Sequence, residues 1–212
     1  MKEKLYVVIP AYNERENVEA VIEQWYPVIE KVGGESRLII VNDGSSDDTY
    51  EVMQRCAETR PMFVPLTKAN SGHGATLLYL YHYAFEKGAD YVFQTDSDGQ
   101  TEPDEFWAFW RLRENFDMVI GSRTARQDGF MRVIVSKVLK LVIGLYFHVG
   151  VEDANTPFRL MKTNVLEENL SLIPPDFFLS NVLISVIYAK KNLAVRYLPI
   201  TFKNRAGGGK FC

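Results

Sequence analysis

Apolar and polar residues alternate with two different periods along the first hundred positions. Short β-branched runs predict four strands, at Leu5–Pro10, Arg37–Asn42, Met62–Leu66 and Asp90–Thr95. The stretches between them carry apolar residues at helical spacing, and they predict helices over Asn17–Val32, Asp47–Glu58 and Gly74–Lys87. Strands that alternate with helices predict right-handed βαβ units, and therefore an α/β protein with a mostly parallel central sheet flanked by helices.

The pattern is less regular after Thr95. It predicts helices near Pro103–Asn115 and Phe130–Val149 and a further helix after Ser180. Three more strands are predicted, at Asp117–Gly121, Phe158–Met161 and Ala194–Phe202. Because no repeat, low-complexity tract or linker interrupts the chain, we expect a single domain.

Composition narrows the function classes. The 212 residues are 47% hydrophobic, which is enough for one sizeable core. Lys and Arg number 24 against 27 Asp and Glu, so no overall basic field exists to bind nucleic acid. Cys56 and Cys212 lie far apart, so no disulfide is expected, and a reducing, cytoplasmic setting fits best. No apolar run reaches the length of a signal-peptide core or a membrane span.

Polar segments follow each of the first four predicted strands. They are Pro10–Glu14, Asn42–Thr49, Asn70–Gly74 and Asp96–Gln100. The carboxyl ends of parallel strands share one edge of a sheet, and ligands bind there. Turn and helix-cap chemistry accounts for many such residues, but it does not require two carboxylates two positions apart after an apolar run.

The two carboxylates are Asp96 and Asp98. In extended backbone they point to the same side, and two like charges so close are costly unless a cation compensates them. Mn²⁺ or Mg²⁺ is the natural partner, because hard divalent ions bind carboxylate and phosphate oxygens together. The triplet alone is a weak signal, since Asp-x-Asp occurs often by chance.

Three segments in combination resemble family 2 glycosyltransferases: Val7–Glu14, Val41–Thr49 and Thr95–Gln100. The resemblance implies a GT-A fold over 1–205, with a Rossmann-like nucleotide-binding half (1–100), an acceptor half (101–205) and a flexible tail (206–212). It also implies which residues hold the donor nucleotide: Pro10, Ala11, Tyr12, Glu14, Asp43, Asp96 and Ser97. Asp96 and Asp98 would bind the metal.

Later segments resemble dolichol- and polyprenyl-phosphate sugar transferases. These segments are Gly121–Arg123, Arg132 with Ser136, Asp153–Leu160 and Phe202–Arg205. The resemblance implies a polyprenyl phosphate acceptor, dolichyl or undecaprenyl, and a set of residues that bind the acceptor or its phosphate: Gln100, Arg123, Arg132, Ser136 and Arg205. Arginine suits phosphate because its planar fork donates two hydrogen bonds at once.

The resulting hypothesis is a metal-dependent, inverting transfer of a sugar from a UDP- or GDP-sugar to a polyprenyl phosphate at the cytoplasmic membrane face. Asp98, Asp153 and Arg123 are the candidate catalytic residues. Asp153 is interpreted either as a general base or as a turn carboxylate paired with Arg159, and the two interpretations are equally open. The alternatives are a carbohydrate or protein acceptor, a nucleotidyltransferase and a nucleotide-sugar sensor.

Three other features have competing interpretations. Phe130–Val149 combines apolar surface with Arg132, Ser136 and Lys140 at four-residue spacing, which fits either a peripheral membrane-surface helix or a buried amphipathic one. His73 is interpreted as a turn residue with at most a minor binding role. Trp107 and Trp110 are expected in the core rather than on a sugar platform.

Overall fold

The computed structural model describes residues 3–123 and 130–203, and for 130–137 it describes the main chain only. The strands of the described residues are β1 (Leu5–Ala11), β2 (Arg37–Asp43), β3 (Phe63–Lys68), β4 (Tyr91–Gln94), β5 (Met118–Arg123), β6 (Arg159–Lys162) and β7 (Val195–Ile200). The helices are α1 (Val18–Val32), α2 (Thr49–Ala57), α3 (His73–Glu86), α4 (Phe106–Leu112), α5 (Phe130–Phe147), α6 (Thr163–Leu170) and α7 (Ser180–Lys190).

The strands form one sheet in the order β3-β2-β1-β4-β6-β5-β7. Strand β6 is antiparallel to both of its neighbours, β4 and β5, and the other pairings are parallel. The predicted single-domain α/β fold with a mostly parallel sheet is confirmed. The reversal of β6 has a consequence for the site, because it brings the amino end of β6 to the edge where β4 and β5 have their carboxyl ends.

Two apolar layers cover the sheet. On one face, α1, α2 and α4 pack against a cluster of aromatic rings. The rings of Phe93 and Phe158 meet edge to face with centroids 4.7 Å apart, and the Trp25 ring is tilted against Phe93 at 5.2 Å. Such pairs contribute about 0.5–1.5 kcal/mol beyond their buried area. Trp107 and Trp110 pack at the margin of this cluster, so their predicted core placement is confirmed. The other face is covered by α3, α6 and α7.

The structure differs from the predicted elements in two places. The helix predicted near Pro103–Asn115 is a 3-10 turn, Pro103–Glu105, followed by the short α4. Helix α6 was not predicted, because it has only eight residues and follows β6 without a turn signal. Its buried Leu166 and Leu170 fasten it to the sheet.

Over 138–147, where its side chains are described, helix α5 contacts the rest of the protein along a narrow line. Ile143 is 1% exposed and packs in a cluster with Val182 and Val186 of α7. The opposite side carries an apolar row, which we call the outer α5 stripe; its members are Val138 (54% exposed), Leu141 (61%), Val142 (44%), Leu145 (66%) and Tyr146 (81%). The predicted alternative of a buried amphipathic helix is therefore wrong for this part of α5. None of the described helices is long and apolar enough to cross a membrane.

Candidate active site

A cleft of about 680 Å³ opens at the carboxyl edge of the sheet. It collects residues from the ends of all seven described strands, with β6 contributing residues from its amino end. The lining consists of Pro10, Ala11, Tyr12, Glu14, Asp43, Asn70, Gly72, His73, Thr76, Asp96, Ser97, Asp98, Gln100, Arg123, Asn155, Pro157 and Phe202. The strand-edge convergence that the sequence predicted is present.

Hydrogen bonds join the loops after β1 and β2. The Asn13 amide donates to Ser45 Oγ (2.9 Å), and Asn13 Oδ1 accepts from the Ser46 amide (2.9 Å). The amide of the next residue, Glu14, donates to Thr49 Oγ1 (2.9 Å). Asn13 has φ 54°, a left-handed conformation that asparagine tolerates better than most residues. These short polar side chains thus hold one wall of the cleft through main-chain contacts.

Asp43, at the end of β2, binds the loop that follows β3 through its carboxylate. It is 3% exposed and accepts hydrogen bonds from the amides of Ser71 and Gly72, each at 3.0 Å, and from the ammonium of Lys68. Burial acts to raise the pKa of Asp43, but the bonds from Lys68 and Ser71 outweigh it and leave the pKa lowered. Asp43 is therefore an ionised, structurally engaged side chain at the back of the predicted nucleotide half.

The predicted carboxylate pair lies in the centre of the cleft. Asp96 is half-buried, and its Oδ1 is buried without a hydrogen-bond partner among the described residues. Burial is the main cause that raises the pKa of Asp96 to about 6; Asp98 adds to it, while His73, Arg159 and Arg123 oppose it. Asp98 Oδ1 accepts from the Gln100 amide at 3.1 Å.

A buried carboxylate oxygen with no donor fits a cation ligand. Two carboxylates are the usual protein contribution to a Mg²⁺- or Mn²⁺-nucleotide site, where substrate phosphates and water complete the coordination. Over residues 3–123 and 130–203, no group of three or more His, Cys, Asp or Glu side chains converges on a metal position. The residues present therefore fit an ion that arrives with a phosphate ligand, and they do not form a closed protein-only site.

Arg123 and Asp153 form a two-bonded ion pair beside the carboxylates. Arg123 Nε and Nη2 donate to Asp153 Oδ2 and Oδ1 at 3.0 and 3.1 Å, and the guanidinium lies 5.5 Å from the Phe202 ring centroid. The expected alternative pairing of Asp153 with Arg159 is wrong. Burial acts to raise the pKa of Asp153, but Arg123 outweighs it and the pKa is lowered, which makes the carboxylate a weaker base.

The remaining predicted residues have different placements. Gln100 lines the cleft, yet its side-chain amide Nε2 donates to the Lys203 carbonyl at 2.6 Å and so holds the segment after β7 in place. Asp153 lies behind Arg123 and is not one of the described lining residues. The side chains of Arg132 and Ser136, Arg205 and the predicted tail 206–212 lie outside the described residues.

Several lining residues were missed or given little weight. His73, the first residue of α3, lines the same cleft as Asp96, and strand-end reasoning already placed its loop at this edge. Phe202 follows the end of β7, so the same reasoning would have found it. Asn155 and Pro157 precede β6, and strand-end reasoning did not find them because no local pattern indicates that β6 is reversed.

Comparison with known proteins places the chain among sugar transferases. The family model described as Glycosyl transferase family 2 matches residues 6–179. A polyprenol monophosphomannose synthase from Mycolicibacterium smegmatis is 26% identical over 97% of this chain and 80% of its own length. An undecaprenyl-phosphate 4-deoxy-4-formamido-L-arabinose transferase from Pseudomonas syringae is 28% identical over 78% of this chain. The matched region spans about half (49%) of that relative's length.

Solved structures share the fold at low sequence identity. Glucosyl-3-phosphoglycerate synthase from Mycobacterium tuberculosis, crystallised with Mn²⁺, UDP and glucosyl-3-phosphoglycerate, superposes with a TM-score of 0.67 at 18% identity. The match covers 96% of this chain and 73% of that one. S. aureus TarS (1-349) gives a TM-score of 0.63 at 16% identity over 94% of this chain and 60% of its own. The predicted GT-A fold is confirmed.

Proposed function

The chain belongs to glycosyl transferase family 2, and from this premise we propose that it transfers a sugar from a UDP- or GDP-sugar to a polyprenyl phosphate, with inversion at the anomeric carbon. The observation that carries the proposal is the cleft that places the Asp96–Asp98 pair beside the Arg123–Asp153 pair. The two carboxylates suit a metal-diphosphate, and the guanidinium of Arg123 suits a second phosphate. Two relatives named for polyprenol or undecaprenyl phosphate support this acceptor class.

The donor nucleotide occupies the wall formed by the first two strand-end loops. Pro10, Ala11 and the half-exposed ring of Tyr12 offer an apolar surface for the base, and Glu14 and Asp43 stand at its back. The hydrogen-bonded loops make this wall rigid before any ligand arrives, which lowers the entropic cost of binding. Ser97 lines the cleft between the two carboxylates and belongs to the same donor set.

The diphosphate of the donor lies against Asp96 and Asp98. A bound Mn²⁺ or Mg²⁺ supplies Lewis-acid stabilisation of the charge that develops on the leaving diphosphate. Structural neighbours crystallised with Mn²⁺ and UDP support the same assignment. Asp98 is the better candidate for direct ligation, and Asp96 for contact with the ribose or the water shell of the metal.

Arg123 faces the anionic groups from the other side. The two hydrogen bonds from Arg123 to Asp153 fix the guanidinium plane, so its donors need not reorganise as charge moves onto the departing phosphate. A lipid phosphate is already an anion near neutral pH and needs little base catalysis, so positioning dominates. We therefore propose that Asp153 acts mainly by holding Arg123.

The outer α5 stripe supports a peripheral position at a membrane. Five exposed apolar side chains occupy one side of the helix over 138–146, and the exposed Lys140 stands beside them. Apolar area and basic charge together favour the interface of a bilayer that contains anionic lipid. A polyprenyl phosphate presents its phosphate at such an interface, so we propose the cytoplasmic face of a membrane as the site of action.

Nucleotide release with and without lipid tests the proposed reaction. The protein would be incubated with a panel of UDP- and GDP-sugars and Mn²⁺, in the presence or absence of detergent-dispersed undecaprenyl phosphate. We expect nucleoside diphosphate release from one donor, at least about tenfold faster with the lipid. Release that ignores the lipid would instead favour a carbohydrate or protein acceptor. Formation of UTP or GTP from the nucleotide-sugar and added pyrophosphate would favour a nucleotidyltransferase, and binding without release a sensor.

Liposome flotation tests the membrane placement separately. We expect the protein to float with vesicles that contain anionic lipid, and Leu141→Ser with Leu145→Ser to lower the bound fraction at unchanged thermal stability. The matched control is Leu172→Ser, which removes an exposed leucine (56%) outside α5. Equal binding by all three proteins, or no binding at low salt, would contradict this part of the proposal.

A further inference from the structure

Arg159 is a fully buried cation at the junction of the two halves of the cleft. It is 0% exposed and begins β6. In the sheet register it lies opposite Gln94 of β4, two residues before Asp96, and opposite Ile120 of β5, three residues before Arg123. A charged side chain in this position is costly to bury unless its donors are satisfied.

Main-chain carbonyls satisfy the donors. Arg159 Nε and Nη2 donate to the Thr156 carbonyl at 3.0 and 2.7 Å, and Nη2 also reaches the Ala154 carbonyl at 3.3 Å. Nη1 donates to the Asn181 carbonyl in α7 at 3.1 Å. Within the described part of the chain, the guanidinium therefore ties the loop between Asp153 and Phe158 to the first turn of α7.

Ser185 reinforces the same attachment. Its hydroxyl lies 3.0 Å from the Ala154 carbonyl, 3.0 Å from the Asn181 carbonyl and 3.5 Å from Arg159 Nη1. Ser185 is 2% exposed, so water does not compete for these contacts. The loop held in this way carries Asp153, and it also carries the cleft residues Asn155 and Pro157.

We propose that Arg159 is a positioning residue, which holds the Asp153–Phe158 loop so that Asp153 sets the orientation of Arg123 toward the phosphate groups of the substrates. The Arg159 guanidinium donates to the Ala154 and Thr156 carbonyls, and in the same loop the Asp153 carboxylate accepts from Nε and Nη2 of Arg123. A displacement of about 1 Å in such a group is enough to lower turnover roughly 100-fold. This inference rests on the proposed function for its catalytic consequence, but its structural part needs no substrate.

Hydrogen exchange measured by mass spectrometry tests the structural part. In Arg159→Met, we expect the amides of 153–158 to exchange at least about tenfold faster than in the wild type, while those of β1 and β2 keep their rates. Arg159→Lys keeps the charge but loses the fork, and it should give an intermediate increase. Unchanged exchange in 153–158 in both variants would overturn the proposal even if the protein proved to be a transferase.

Steady-state kinetics tests the catalytic part. We expect Arg159→Met to lower kcat at least about tenfold, with the KM for the nucleotide-sugar changed less than about threefold. In the Asp153→Asn background, the same substitution should lower kcat less than about twofold further, because the pair it supports is already broken. Additive losses in the double variant would overturn the proposal.

Leu166→Ala is the matched control for stability. Leu166 is also fully buried, but it lies in α6 away from the cleft. We expect Leu166→Ala to keep wild-type kcat even where it lowers the free energy of unfolding as much as Arg159→Met does. A similar loss of kcat in Leu166→Ala would show that Arg159 acts through stability alone. If Arg159→Met does not fold, Ser185→Ala is tested in its place. We expect it to raise the exchange rates in 153–158 and to lower kcat, each by about threefold. Wild-type protein without transfer activity would refute the proposed function and leave the exchange result standing.

Discussion

The two sides of the cleft are held in different ways. One side consists of the loops after β1, β2 and β3, and the other consists of the segments around Asp153 and Phe202. In the first group, short polar side chains such as Asn13 and Asp43 bond to main-chain amides of the neighbouring loop. In the second group, long side chains reach across the fold, as Arg123 does to Asp153 and Gln100 to Lys203. The proposed donor side is thus built from local motifs, whereas the proposed acceptor side is built from contacts between distant parts of the chain.

The largest expected effect comes from the carboxylate pair that follows β4. Asp98→Asn should lower kcat at least about 100-fold, because a metal-held diphosphate loses several kcal/mol of transition-state stabilisation. Nucleotide release at saturating Mn²⁺ measures it. Asp104→Asn, which changes an exposed carboxylate in the 3-10 turn nearby, is the control and should keep full activity. Near wild-type turnover by Asp98→Asn would remove it from the metal site.

A smaller loss is expected on the acceptor side. Asp153→Asn keeps the shape of the side chain but weakens the ion pair with Arg123, so kcat should fall about 10- to 100-fold while nucleotide affinity stays within about threefold. Calorimetric titration with UDP or GDP, run beside turnover, separates the two quantities. The control is Asp90→Asn at the opposite edge of the sheet, which should change neither. An equal loss of nucleotide affinity would place Asp153 in the donor half.

The contact between α3 and the segment before α7 is tested by a change in packing. A Cβ at Gly74 would lie 2.2 Å from the Phe177 carbonyl oxygen, so Gly74→Ala should destabilise the protein by about 1–3 kcal/mol in denaturant unfolding. Gly144→Ala in α5 meets no atom within 4 Å and should be neutral or slightly stabilising. Equal stability of the two variants would show that the segment before α7 does not rest on α3.

The smallest expected effect depends on pH. Because the pKa of Asp43 is lowered in the folded protein, its stabilising contribution is present above the unfolded pKa and disappears as the pH falls through the folded value. Asp43→Asn should therefore cost about 1 kcal/mol at pH 7, and the difference from wild type should narrow toward pH 3. Urea unfolding at several pH values measures this, and a gap that widens on acidification would contradict the assignment.

The same contrast explains what the sequence could predict. All seven strands and six of the seven described helices follow from periodicity, and the loops that close the donor side follow from polar residues directly after strands. Asp96, Asp98 and Asp43 were found in this way because each stands beside the strand that positions it. Local sequence patterns were therefore sufficient to predict the side of the cleft that is held by local hydrogen bonds.

The acceptor side required knowledge of the fold. The partner of Asp153 is Arg123, thirty positions away, and periodicity cannot choose between it and the nearer Arg159. The choice follows from the reversal of β6, which buries Arg159 among carbonyls and leaves Asp153 to face β5. The exposure of the outer α5 stripe was equally hidden, since the sequence fits a buried helix as well as an exposed one.

Detection of the lipid product tests the proposed transfer of a sugar to polyprenyl phosphate. After incubation with the active nucleotide-sugar, Mn²⁺ and undecaprenyl phosphate, the organic extract would be measured by mass spectrometry. We expect a species heavier than the lipid by one sugar residue, formed by the wild type and lost in Asp98→Asn. Continued turnover of the nucleotide-sugar with no sugar on the lipid phosphate would contradict it.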